Sequence, residues 1–163
     1  MAVVNDETTK IPTSLIGAAG VHFVVSELSL RGLVALPTTR NTAGIDVLVS
    51  EPDGSAQAAL QVKTSKQPRK EPGTGNFYWP TPSPDKCLKG PRNFYVFLRH
   101  LPKEGRFEAF LESGCEVAKQ VKQWKNSTLY YWALPKEKAK KLCDKWHNWK
   151  PLADCGERHK TTP

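Results

Sequence analysis

Apolar residues recur at helical spacing through residues 14–31: Leu15, Ala18, Ala19, Val21, Phe23, Val24, Leu28 and Leu30. Ser14 stands where an N-cap belongs and Gly32 where a helix stops, so the segment predicts one helix. Gly17, Ala18, Ala19 and Gly20 would let its first turns approach another backbone closely. Past Gly32 the period changes from helical to alternating. Residues 33–36 predict a short strand ended by Pro37; Ile45, Val47 and Val49 predict a second strand. Leu60 and Val62 continue the inward face on a third strand, after the turn at Pro52, Asp53 and Gly54.

Residues 65–92 break the pattern. They are rich in Pro, Gly and Lys, with Phe77, Tyr78 and Trp79 embedded, and read as a loop too long to be a passive connection, functional or partly mobile. Residues 93–99 and 106–111 then predict two strands, residues 113–124 a helix opened by Ser113 and Glu116 as a capping box, residues 129–133 a further strand, and residues 136–149 a basic amphipathic helix. With no internal repeat and no domain boundary, the expectation is a single domain over residues 1–163, with a flexible N-terminus at 1–12 and a C-terminal tail at 151–163. The fold class is α/β, a mixed central β-sheet flanked by helices with an αβββαβ core.

Composition narrows the function. The chain of 163 residues is 39% hydrophobic and 25% charged, an ordinary globular balance. No apolar run, the stretch near residues 21–25 included, approaches the roughly 20 residues that span a bilayer. Residues 1–10 carry acids and no basic region leading into an apolar one, so the sequence reads as cytoplasmic, with no membrane partner. The net charge of +8 is uneven: residues 1–62 hold 3 basic and 6 acidic side chains, residues 63–163 hold 21 and 10. A positive field of this kind attracts polyanions, nucleic acid first among them, although a lysine-rich solvated surface has the same composition.

The candidate chemistry lies where that charge begins. Asp46 sits on one strand between Ile45 and Val47, an unusual place for an Asp. Gln61 and Lys63, two residues apart on the next strand, must share a face, with Val62 on the other. A loop at 51–54 would set Ser50 opposite Ser55 and Asp46 opposite Ala59, with Gln61 as its diagonal neighbour at roughly 7 Å.

This arrangement, a helix with Gly17 and Gly20, a Gly44-Ile45-Asp46 strand and a Gln61-Val62-Lys63 strand, resembles the PD-(D/E)XK, or restriction-endonuclease-like, nuclease superfamily. Its small prokaryotic stand-alone and Holliday-junction-resolvase-like members are the most similar. The resemblance implies a Mg²⁺- or Mn²⁺-dependent endonuclease that hydrolyses phosphodiester bonds in DNA. Asp46 would be the anionic metal ligand, with neutral oxygens from the Gln61 amide and the Val62 carbonyl. Lys63 would orient or help deprotonate water and stabilise the transition state. Asp46, Gln61 and Lys63 are thus the expected catalytic residues. A homodimer would suit a substrate with two strands to cut. The chain departs from the pattern twice: Gln61 stands where most members carry Glu or Asp, and Val21 follows Gly20 where a Glu is usual. Glu27 is on another face of the helix, and His22 is a poor Mg²⁺ ligand. Two other readings stay open: a relative that binds nucleic acid without cutting, and a protein-interaction module.

Lys66, Arg69 and Lys70, followed by Tyr78 and Trp79, combine phosphate-binding cations with stacking surfaces and form the expected nucleic-acid contact; core anchoring is the other use for such aromatics. The lysines at 136, 138, 140, 141 and 145 fit a solvated helix face as well as a backbone footprint. Cys143, His147, Cys155 and His159 have zinc-ligand types in two i, i+4 pairs, but their spacing matches no known zinc module, and Leu142 and Trp146 make Cys143 a core-facing residue.

Overall fold

In the computed structural model, residues 11–39, 44–65, 70–71 and 73–145 are described. Helix α1 (Thr13–Ser29) buries Ile16, Gly20, Val24 and Leu28, one stripe at i, i+4. Its N-cap is Pro12, without a side-chain hydrogen bond, rather than Ser14. It ends as expected: Gly32 takes φ +83° and Leu33 N–H donates back to the Leu28 carbonyl. Gly20 is the point of closest approach, because a Cβ there would overlap the Thr64 side chain.

Strands β1 (Val34–Pro37), β2 (Val47–Ser50) and β3 (Gln57–Ser65) follow, then β4 (Phe77–Thr81), β5 (Asn93–Leu101) and β6 (Arg106–Ser113). The central sheet runs β1-β2-β3-β5-β6, with β3 and β5 parallel and every other pair antiparallel. Alternation along each strand divides the core. Val47, Val49, Leu60, Val62, Val96 and Leu98 pack with α1 on one face. On the other face Tyr95, Phe97 and Phe110 pack with Trp79, Trp132 and Val117.

A second sheet covers that other face. It is three-stranded, β4-β8-β7, with β7 (Lys122–Gln123) and β8 (Tyr130–Leu134) following helix α2 (Gly114–Gln120) and preceding helix α3 (Lys136–Leu142). Part of the expected loop at 65–92 is therefore strand β4. Pro80 hides it in the sequence, yet proline is tolerated here because β4 is the edge of its sheet. The expected helix over 113–124 stops at Gln120, since Lys122 and Gln123 pair with Tyr131 and Tyr130 instead. Only half of the capping box forms: Ser113 Oγ accepts from Glu116 N–H at 3.2 Å, while the Glu116 carboxylate turns to Lys119. The expected helix over 136–149 ends at Leu142, because Cys143 leaves helical geometry as its C-cap and Asp144 takes φ +52°; residues 146–149, the tail at 151–163 and most of the N-terminal arm lie outside the described residues.

Between the sheets lies an aromatic layer. Phe97 and Trp132 stack at 4.1 Å and 8°, and Trp79 lies 5.3 Å from Phe97, 5.7 Å from Phe110 and 5.8 Å from Trp132. The Trp79 indole N–H donates to the Leu98 carbonyl at 2.9 Å. Trp79, expected to stack on nucleic acid, is 1% exposed, and its role is to join the two sheets. Arg99 adds a cation–π contact on Phe77 at 4.3 Å.

Glu71 secures the outer side of the small sheet. It is buried and accepts from Thr74 Oγ1 at 2.6 Å, Tyr131 Oη at 2.7 Å, Lys122 Nζ at 3.1 Å and Asn76 Nδ2 at 3.2 Å. The Thr74 hydroxyl first, then the donors of Tyr131, Lys122 and Asn76 against the cost of burial, hold its carboxyl down at about 2. A depressed carboxyl adds stability above its unfolded value and loses it as pH falls toward the folded one. Glu71→Gln should therefore cost on the order of 3 kcal/mol at neutral pH. Urea unfolding from pH 7 to pH 2 should show the native protein and the Glu71→Gln variant converging as pH falls below the ordinary Glu range. A gap that stays constant over that range would contradict the role given to Glu71.

Candidate functional site

The hairpin β2–β3 places Asp46, Gln61 and Lys63. Its register differs from the expectation by two residues: Ser50 pairs with Gln57 and Leu48 with Ala59, the loop being 51–56. Within that loop Ser55 N–H donates to Asp53 Oδ1 and Glu51 N–H to the Ala56 carbonyl, so the Pro-Asp-Gly turn is wider than a tight hairpin. A shift of two residues preserves the faces, because side chains alternate with period two.

The ladder ends at Val47 opposite Leu60, and Asp46 then leaves it. Its N–H donates to the Leu60 carbonyl at 2.8 Å, while its carboxylate Oδ2 accepts from Val62 N–H at 2.7 Å. Asp46 thus grips the backbone on both sides of Gln61. Thr38 N–H holds the Asp46 carbonyl at 3.0 Å from the β1 side.

Gln61 and Lys63 lie beside Tyr95 and Phe97 of β5, which places them on the aromatic face, opposite α1. Gln61 is buried, and its amide Oε1 has no hydrogen-bond partner among the described residues. An orphaned buried acceptor is costly unless something outside the protein satisfies it. Burial pushes the Lys63 ammonium below the usual lysine range, against the opposing pull of Asp46 and then Cys87. Val62 sits in the α1-side core by its side chain, leaving only its backbone to the site.

The donor set fits a hard divalent cation: one carboxylate and a buried, unpartnered amide oxygen. It is poor in charge. Among the described residues no three His, Cys, Asp or Glu side chains gather as a metal cluster. Helix α1 contributes none: His22 is exposed on it, and Glu27 pairs with Arg31 at 2.9 Å. Glu112 does share the face, through Tyr95, but stands two strands from Gln61, roughly 10 Å away. Burial raises its carboxyl.

Two neighbours of the site carry no signal in the sequence. Cys87, buried, is close enough to Lys63 for each to feel the other's charge, and burial pushes its thiol up. The Tyr95 hydroxyl accepts from Leu88 N–H at 3.0 Å, which fixes the segment carrying Cys87. Cys87 meets Lys63 from a distant part of the chain, and the Tyr95–Leu88 bond fits no turn or helix period, so no local pattern announces either. Of the expected nucleic-acid contacts, Lys70 is exposed and Tyr78 half-buried, Trp79 is in the core, and Lys66 and Arg69 lie outside the described residues. Of the expected zinc set only Cys143 is described. It caps α3 and contacts Asp144, and burial first, then Asp144, pushes its thiol up to about 12; His147, Cys155 and His159 are outside.

The fold is similar to that of the bacterial homing endonuclease I-Ssp6803I, with a TM-score of 0.53 at 15% identity, over 83% of this chain and 91% of that one. Hjc, a Holliday junction resolvase from the archaeal hyperthermophile Archaeoglobus fulgidus, aligns with a TM-score of 0.42 at 14% identity, over 76% of this chain and 95% of that one. No protein-family model and no curated protein matches the sequence. The mixed α/β architecture around the five-stranded sheet is the restriction-endonuclease-like, or PD-(D/E)XK, fold. No helix among the described residues is long and apolar enough to cross a membrane.

If Asp46 and Gln61 share a cation, Gln61→Glu adds the missing anionic oxygen and should tighten Mn²⁺ binding on the order of tenfold. Asp46→Asn should weaken it by a similar factor. Calorimetric titration with Mn²⁺ reads both, and an affinity indifferent to residue 61 would remove it from any ligand set.

Proposed function

We propose that the protein is a metal-dependent phosphodiesterase acting on DNA, with its site at the open end of the β2–β3 hairpin. The observation that carries this reading is the buried Gln61 Oε1 without a partner, on the same face as a desolvated Lys63 and beside the Asp46 carboxylate. Thr64, Thr81, Arg99 and His100 also carry an unpaired buried polar atom, so the weight lies in the combination: at Gln61 the unpaired acceptor stands with a carboxylate and a desolvated lysine, the groups a hard cation and a phosphate require. Asp46, Gln61 Oε1 and the Val62 carbonyl would hold Mg²⁺ or Mn²⁺, which when bound supplies Lewis-acid polarisation of the phosphate.

The chain's own groups do the rest. Val62 N–H fixes Asp46, so its carboxylate presents one direction. The Lys63 ammonium, set among apolar rings, exerts a stronger field on a phosphorane-like charge than it would in water. Its lowered proton affinity also lets it surrender a proton to solvent more readily than an ordinary lysine when it orients the attacking water. Lys70, exposed, and Tyr78, half-buried, would meet the nucleic acid outside the hairpin site as phosphate and base contacts. The excess of basic residues after position 62 supplies the long-range attraction.

A second reading, nucleic-acid binding without hydrolysis, is favoured by the single carboxylate at the site and by the neutral Gln61. Incubation of supercoiled plasmid and of a four-way DNA junction with Mg²⁺ or Mn²⁺ separates the two. Hydrolysis predicts metal-dependent nicking that falls at least about 100-fold in Asp46→Ala and Lys63→Ala. Binding should change far less in both variants. Salt-sensitive binding with no cleavage by the native protein selects the second reading. Absence of both binding and cleavage would leave the protein-interaction module.

A further inference from the structure

Away from the hairpin site, a groove of about 690 Å³ lies between the segment 80–86 and the tip joining β7 to β8. Its aromatic wall is built from distant parts of the chain. Trp124 stacks on Tyr131 at 4.3 Å and 30°, and Tyr78 meets Trp124 edge-on at 5.2 Å and 79°. Tyr131 is buried and tied to Glu71, so one face of Trp124 rests on a fixed platform. Pro80 and Pro82 line the groove with these rings.

The tip is held rigid although it is exposed. Trp124 N–H donates to the Leu129 carbonyl at 3.0 Å and Ser127 N–H to the Trp124 carbonyl at 3.2 Å. Leu129 N–H reaches Ser127 Oγ at 3.1 Å, and Gln123 Nε2 reaches the Ser127 carbonyl at 2.7 Å. The tip thus presents a half-exposed Trp and a Leu that is 66% exposed in one geometry, an apolar surface already shaped for an occupant.

Charge indicates which. Lys86 borders the groove and Lys125 adjoins Trp124, and among the described residues neither makes an ion pair. The one acid on the groove, Asp85, has its carboxyl held low by Ser83, so it stays an acceptor suited to an exocyclic amino group. Flat rings and proline walls with cations at the rim match a nucleobase with its phosphates better than an uncharged peptide. The segment that borders the groove continues from Lys86 into Cys87, which is within range of the Lys63 charge.

We propose that this groove takes one unstacked nucleobase of a single-stranded or branched DNA, packed on Trp124 and Tyr78, with Lys86 and Lys125 on the adjoining phosphates. The inference rests on the reading of the hairpin site as one that receives DNA. It adds a preference for strands with unpaired bases, since a base inside a duplex does not reach the rings.

The test is fluorescence anisotropy in Mg²⁺-free buffer with a labelled single strand of roughly 15 nucleotides and with a blunt duplex of the same sequence. Trp124→Ala should weaken single-strand binding by about tenfold and leave the duplex nearly unchanged, with Trp124→Phe restoring most of the loss. Thermal melts show that each variant is folded, and Tyr78→Ala should reproduce the effect if Trp124→Ala does not fold. Single-strand affinity that ignores both residues, an equal loss on the duplex, or no single-strand binding by the native protein overturns the proposal. Plasmid nicking by the same proteins keeps the two readings apart. A Trp124 effect without Asp46-dependent nicking sinks the catalytic reading alone, and Asp46-dependent nicking with silent Trp124 sinks the groove alone.

Discussion

The stack of Phe97 on Trp132 joins the two sheets, and the candidate site depends on that junction. Phe97 belongs to the central sheet and Trp132 to the small one, and Trp79 wedges against both while donating to the backbone of β5. Each such ring pair is worth about 0.5–1.5 kcal/mol beyond area burial, so the layer outweighs any single surface ion pair by severalfold. Its position matters as much as its strength. Phe97 is the lateral neighbour of Lys63 and Tyr95 that of Gln61, so the rings that hold the sheets together also exclude water from the two polar side chains between them. The lowered proton affinity of Lys63 is the chemical result of a packing decision made by aromatic residues.

The opposite edge of the site is backbone-driven. Asp46 sits where β2 leaves the ladder, and its carboxylate takes a backbone N–H of the neighbouring strand. That bond removes part of the carboxylate's capacity and fixes the remainder. Gln61 keeps its amide oxygen buried and unmatched. The geometry of a hard-cation site is thus present with less negative charge than two carboxylates would give, which is why charge at position 61 is the sensitive variable. The fold is shared with a homing endonuclease at 15% identity, so the chemistry has to be argued from these side chains and not from the architecture.

Much of the first half was legible in the sequence because its signals are local. Helix α1 follows from one apolar stripe and a terminating glycine, and β2 and β3 follow from alternation; further on, β5 and β6 follow from short aromatic and aliphatic runs. The shared face of Gln61 and Lys63 follows from the same period. Hairpin register was not legible, since Asp53 and Ser55 build a wider turn than Pro-Asp-Gly suggests; the error of two residues left the faces intact. The small sheet was hidden because β4 contains Pro80 and β7 has two residues, so neither shows a period. Trp79 illustrates the cost: an aromatic inside a polar, lysine-rich stretch looks exposed, and only the pairing of β4 with β8 turns it inward. The Glu71 clamp spans 60 residues to Tyr131 and has no sequence signature at all.

The dependence of the site on the aromatic layer can be measured at one atom. Proteins labelled with ¹³C at lysine Cε allow each ammonium to be titrated by NMR, and Lys63→Arg identifies the resonance of Lys63. The Lys63 ammonium is predicted to lose its proton below the ordinary lysine range, because burial beside Phe97 and Tyr95 outweighs the pull of Asp46 and Cys87. A Lys63 that titrates together with the surface lysines, or above them, would show that the rings do not desolvate it and would contradict the site as described.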